Sequence, residues 1–234
     1  MNATVIAETI RRHLTNVFFI TYLIFLLMVA AAVSMFQSAG TLWPALVSLL
    51  AVVAGAGLIG PEFSSGTLQL IVSKPVRRAT YLLSRFAGVI VVVTLAAAAA
   101  FLTESGLRFV RDAPLPWNEL NAKLVNTIAG AMLIAALLAL LGSLTRAWFN
   151  VAIYFALQIA LSISMAILGL LRARGTWNDP LLERAIAAVD QTLFPEAAGG
   201  MDPEWLLRVG ATAAVALVLA CLAFQRREVP YGAD

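Results

Sequence analysis

The chain has 234 residues, of which 61% are apolar and only 12% charged, against about 25% charged residues in an ordinary soluble domain. A net charge of +3 without any block of Lys and Arg excludes a nucleic-acid partner. One cysteine and one histidine exclude an intrachain disulfide and leave too few ligands for a structural zinc site.

Residues 1–16 form an amphipathic helix, because Ile6, Ile10, Leu14 and Val17 recur at helical spacing while Glu8, Arg11, Arg12 and Thr15 lie elsewhere. Such a helix is expected to lie in the membrane interface, with its lone His13 interfacial or solvated. The apolar run at 17–36 is too long for the core of a signal peptide and, at about 1.5 Å per residue, reaches the roughly 30 Å of a bilayer core. A second span is expected over 43–59. Its end formally matches a dinucleotide GxGxxG, but without the strand before it that the fingerprint needs, so the small residues are read as allowing close helix contact.

Residues 60–85 then interrupt the apolar pattern with Lys74, Arg77, Arg78 and Arg85. Each such charge costs about 2.5 to 3.5 kcal/mol at the bilayer centre, so the segment belongs at a membrane surface. Gly60 and Pro61 end the preceding helix, and Ser64, Ser65 and Gly66 precede the short apolar face of Leu68, Ile71 and Val72. Pro75 stops that short helix near Ser73, and the basic residues beyond it are expected to snorkel as the next span begins.

The third span is expected over 86–102, with an alanine run at 96–100 suited to helix contact. Glu104, Arg108, Arg111 and Asp112 are assigned to an outer loop marked by Pro114 and Pro116. Spans four and five are expected over 124–141 and 151–171, joined by a short turn containing Arg146. The outer segment 172–204 holds an amphipathic helix, with Asp179 and Pro180 as start signals and Leu182, Ile186, Val189 and Leu193 on one face until Phe194-Pro195. Asp202-Pro203 opens the last span, 205–224.

The expected fold is therefore all-α: a single polytopic membrane domain, 1–234, with six transmembrane helices, an amino-terminal interfacial helix and a short helix between spans two and three. With the amino terminus inside, nine Lys and Arg residues face the cytoplasm against seven outside, and four acidic residues against nine. The bias puts both termini in the cytoplasm.

The ordered elements of the 60–85 segment resemble the permease subunits of type-2 ATP-binding cassette (ABC) transporters. The residues that carry the resemblance are Glu62, Gly66, Thr67, Leu68, Ser73, Lys74, Pro75, Val76 and Arg78, with Arg77 adjacent. The resemblance implies that this loop is the coupling helix, seated in a cleft of a cytoplasmic ATPase. Leu68 and Ile71 would make that contact, and Glu62 and Arg78 would hold the loop's geometry. It also implies a second permease subunit, identical or similar, in the lipid of the cell (inner) membrane, and a bias toward export. ATP and Mg would be bound by the partner ATPase, with no cofactor in this chain.

The residues themselves point the same way on energy supply. By this parse no Asp, Glu, Lys or His lies mid-span, where a proton-driven carrier needs an ionisable group, and no GxxxxGK[ST] loop is present to cradle ATP phosphates. No base or ligand set converges for an enzyme. A non-transporting membrane scaffold or assembly protein and a secondary carrier remain as other readings, the carrier disfavoured by the empty span interiors.

Overall fold

A computed structural model describes residues 2–36, 42–58, 78–145, 149–174, 180–195 and 200–226. Eight helices and no strand occur among them: α1 (Ala3–Leu14), α2 (Val17–Phe36), α3 (Leu42–Ala56), α4 (Arg78–Val110), α5 (Trp117–Leu144), α6 (Phe149–Ala173), α7 (Pro180–Leu193) and α8 (Pro203–Arg226). Five of them, α2, α4, α5, α6 and α8, are long and apolar enough to cross a membrane. The chain is a polytopic all-α membrane protein. The described part of α3 has 15 residues, about 22 Å at helical rise, which is short of a bilayer core.

Local chemistry sets several helix ends. The Asn2 side chain accepts the Thr4 backbone N–H (3.0 Å) and caps α1, whose last turn carries Arg11, Arg12 and His13 against the negative end of the helix dipole. Asp112, at φ 51°, takes the left-handed conformation that ends α4, and the Ala113 N–H then closes onto the Arg108 carbonyl. The Asp202 carboxylate accepts the Glu204 N–H (3.0 Å) ahead of Pro203, as the sequence led one to expect.

The third apolar run lies inside a longer helix than its composition indicated. The 33 residues of α4 cover about 50 Å, so Glu104 and Arg108, assigned from the sequence to an outer loop, are helical. Lys123, placed just before the fourth span, lies within α5. The reason is that Glu104 is satisfied by neighbouring helices and needs no exit to water.

The core forms where small residues let backbones approach. Ala96, Ala97 and Ala100 of α4 are buried against α2, α3 and α5. At Gly55 of α3 a Cβ would stand 3.0 Å from Leu138 Cδ1 of α5, which accounts for the glycine-rich end of the second apolar run. Of the five long helices α6 is the least enclosed: Ile159, Ile163, Ile167 and Leu170 are exposed, and its amino-terminal end is held by Asn150, whose Nδ2 donates to the Ala56 carbonyl (3.3 Å).

Candidate functional site

The segment 59–77 lies outside the described residues, and with it Glu62, Gly66, Thr67, Leu68, Ile71, Ser73, Lys74, Pro75 and Arg77. Of the sequence-derived coupling residues only Arg78 is described, as the first residue of α4. The two stalks that carry the segment are described, and they are clamped together. Arg85, about two turns into α4, donates from Nη2 to the Gly57 carbonyl (3.3 Å) and from Nη1 to the Tyr81 hydroxyl (3.0 Å). Its carbon stem and head are enclosed, with 7% of the residue exposed. Arg85 therefore does not snorkel, contrary to the expectation from the sequence; a backbone carbonyl and a phenol within the bundle replace water around its charge.

The amino-terminal helix is part of the same clamp. Ser84 Oγ of α4 accepts the Asn2 N–H (2.7 Å), and buried Thr9 packs onto Gly88, where a Cβ would lie only 2.7 Å from Thr9 Cβ. The docked face of α1 consists of Val5, Ile10, Thr9 and His13. Of the expected apolar residues, Ile10 belongs to this face and Ile6 is half-buried, while Leu14 and Val17 are exposed. The polar Thr9 was overlooked as a packing residue because its hydroxyl is satisfied by its own helix, donating to the Val5 carbonyl (2.8 Å). His13 is half-buried rather than solvated. Its Nδ1–H donates to the Thr9 carbonyl (2.8 Å), its ring meets Phe19 edge-on, and burial, with smaller contributions from Arg85 and Arg12, pushes its pKa below the usual 6.5.

A second feature lies along the middle of α3. A cavity of about 470 Å³ opens between α3, α5 and α6 and is bounded by Ser48 and Val52, Leu133 and Ile134, and Tyr154 and Gln158. Its wall is apolar apart from the Ser48 hydroxyl, the Tyr154 phenol and the Gln158 amide. Phe194, just past the end of α7, closes one side and stacks edge-on against Tyr154 at 5.4 Å. The carboxyl end of α7 thus reaches residues in the middle of α5 and the first turns of α6.

A third is a buried ion cluster, where Glu104 has 0% side-chain exposure. It accepts from Trp43 Nε1 (2.6 Å), Arg108 Nη2 (2.9 Å) and Lys123 Nζ (3.0 and 3.2 Å). The Lys123 ammonium also lies 5.5 Å from the Trp43 ring centre. One carboxylate thereby ties the start of α3, the end of α4 and the start of α5. Only the i, i+4 spacing of Glu104 and Arg108 hinted at it in the sequence; Trp43 and Lys123 are brought in by the fold.

No group of three or more His, Cys, Asp or Glu side chains able to hold a metal occurs among the described residues. No curated protein matches the chain. The family model of the ABC-2 family transporter protein matches residues 42–229, a stretch that runs from the first turn of α3 past the end of α8 and includes the whole 60–85 segment. With that match covering most of its length, the chain belongs to the ABC-2 transporter family.

Proposed function

We propose that this permease is the membrane half of an exporter, driven by a cytoplasmic ATP-binding subunit that grips the 60–85 segment. ATP and magnesium belong to that partner. A second permease subunit, identical or similar, completes the path, and both termini face the cytoplasm. The observation that carries the reading is the family match across α3, the 60–85 segment and α4. The clamp between Gly57 and Arg85 supports it, because a pull on a segment whose stalks are joined moves α3 and α4 as one body. The apolar cavity supports an apolar or lipid-like cargo.

In this mechanism, closure of the ATPases displaces the face of Leu68 and Ile71, with Glu62 and Arg78 holding the segment's shape, and Gly66, Thr67, Ser73, Lys74, Pro75 and Arg77 forming its turn and rim. The displaced stalks tilt α3 and α4 against α5. Purification from native membranes in mild detergent is expected to retain a P-loop ATPase at a roughly equal molar amount. Leu68→Asp with Ile71→Asp is expected to remove the ATPase while the permease still folds. Retention of full ATPase association and transport in that double variant would overturn the contact assignment, and the absence of any ATPase from the wild-type preparation would favour a scaffold.

A further inference from the structure

The 470 Å³ cavity is not the only cleft beside Phe194. A second one, of about 550 Å³, lies on the other side of Phe194 and Pro195. Its polar lining comes from Asp190 and Gln191 of α7, Asp202 before α8, Arg208 of α8 and Ser162 of α6. Ser162 and Met165 are mid-helix residues of α6, so the carboxylate of Asp190 stands beside the middle of a membrane-crossing helix. An ionisable group at such depth is costly and marks a solvated path or a ligand site.

A further observation points to a ligand. Trp205 lines this cavity at 6% exposure, and its indole Nε1 has no hydrogen-bond partner among the described residues. A buried indole N–H is ordinarily satisfied, and leaving it unsatisfied is unfavourable. Two carboxylates against one guanidinium give the space a net negative charge, while the indole offers a donor.

We infer that the two cavities form one divided binding site for an amphiphile with a basic, positively charged nitrogen in its head. The charged head lies between Asp190 and Asp202, an oxygen of the head accepts from Trp205, and the apolar body extends past Phe194 into the space bounded by Val52 and Leu133. Phe194, held against Tyr154, is the partition that the body displaces. This rests on the permease reading, because it names the cargo class of the same path, yet its test is independent of any ATPase.

The purified full-length chain in lipid nanodiscs is titrated by equilibrium dialysis with tetraphenylphosphonium and, separately, with tetraphenylborate, hydrophobic ions of nearly equal size and opposite charge. Empty discs serve as the partition control. Saturable, protein-dependent binding of the cation and none of the anion is expected. Asp190→Asn with Asp202→Asn, the latter retaining the cap on α8, is expected to weaken cation binding about tenfold or more, whereas Arg208→Gln is expected to strengthen it. Equal binding of both ions, preference for the anion, or an unchanged affinity in the double variant would overturn the site. The opposite signs of the two variants separate a lost site from a lost fold. Discs containing phosphatidylethanolamine distinguish the native source: weakened probe binding there assigns the site to an amine-headed lipid, and unchanged binding assigns it to a free amphiphilic cation. Failure of this titration leaves ATPase co-purification untouched, and failure of co-purification leaves the titration interpretable.

Discussion

Replacing Glu104 by Gln tests whether the buried ion cluster holds the bundle together. The amide keeps the shape and its oxygen can still accept from Trp43 Nε1, but its NH2 then replaces the oxygen that accepted from Arg108, so the change removes the charge and one acceptor. Lys123 and Arg108 then lose their counter-ion while keeping only 22% and 17% of their side chains exposed. Breaking a buried pair costs about 3 to 5 kcal/mol, and partial access of both cations to water places the effect near the lower end, about 3 kcal/mol. For a chain of this size each kcal/mol lowers the unfolding midpoint by about 2 to 4 °C, so a drop of roughly 6 to 12 °C is expected. The assay is thermal unfolding in nanodiscs at one fixed scan rate, because the midpoint of an irreversible transition depends on that rate. Lys123→Gln alone should cost less, because Arg108 still pairs with the carboxylate, and the double variant should be less destabilised than the two single effects together. A midpoint for Glu104→Gln indistinguishable from the wild type would refute the claim that this carboxylate joins three helices.

Other consequences concern the clamp beside the 60–85 segment. Gly88→Ala drives a methyl group into Thr9 Cβ, an overpacking of about 1 to 3 kcal/mol, and is expected to undock α1, seen as faster amide exchange over residues 3–14 while α4 stays protected. The depressed pKa of His13 has a definite sign: the docked form binds its proton less tightly than the undocked one. Docking is therefore complete above the unperturbed pKa of about 6.5 and weakens as pH falls below it toward the docked value. The same exchange measurement across that window checks it, and His13→Phe should remove the pH dependence. Arg85→Gln removes a charged donor to the Gly57 carbonyl, about 1.5 to 3 kcal/mol, and is expected to lower transport per ATP hydrolysed about tenfold without releasing the ATPase.

Hydropathy alone was enough to read an all-helical membrane chain, because the apolar runs that become α2, α4, α5, α6 and α8 have no other stable environment. The helix ends were less legible. The sequence shows Glu104 and Lys123 as charges, and a charge is read as a boundary unless its partner is known. Here the partners are 61 and 19 residues from Glu104 along the chain, so the helices extend beyond their apolar cores. Arg85 was misjudged for the same reason, its acceptor being Gly57 just past the end of α3. Likewise, the amphipathic pattern of α7 was visible but its destination was not: a stripe of Leu182, Ile186, Val189 and Leu193 suits a lipid surface and a protein groove equally. What takes its carboxyl end inward is the contact of Phe194 with Tyr154, a pair separated by 40 residues. Thr9 and Gly88 show the converse, since their fit depends on absent volume rather than on hydrophobicity.

The three sites meet on α3, which gives the proposed coupling a mechanical form. At one end of this helix Trp43 is bound to Glu104, in the middle Ser48 and Val52 form cavity wall, and just beyond the other end Gly57 is held by Arg85. If the ion cluster is a pivot, a pull on the coupling segment swings α3 about Trp43 and does not slide it. A displacement of about 4 Å at Gly57, roughly 21 Å from the pivot, would then move Val52 by about 2.6 Å and Ser48 by about 1.4 Å. The close approach of Gly55 to Leu138 bars a swing toward α5, so the permitted motion widens the space facing Leu133. Loosening the pivot by Glu104→Gln should consequently reduce transport more than ATPase association, because the engaged lever would translate as a whole and leave the cavity its resting width. Equal loss of both would place the cluster in folding alone and remove it from the coupling path.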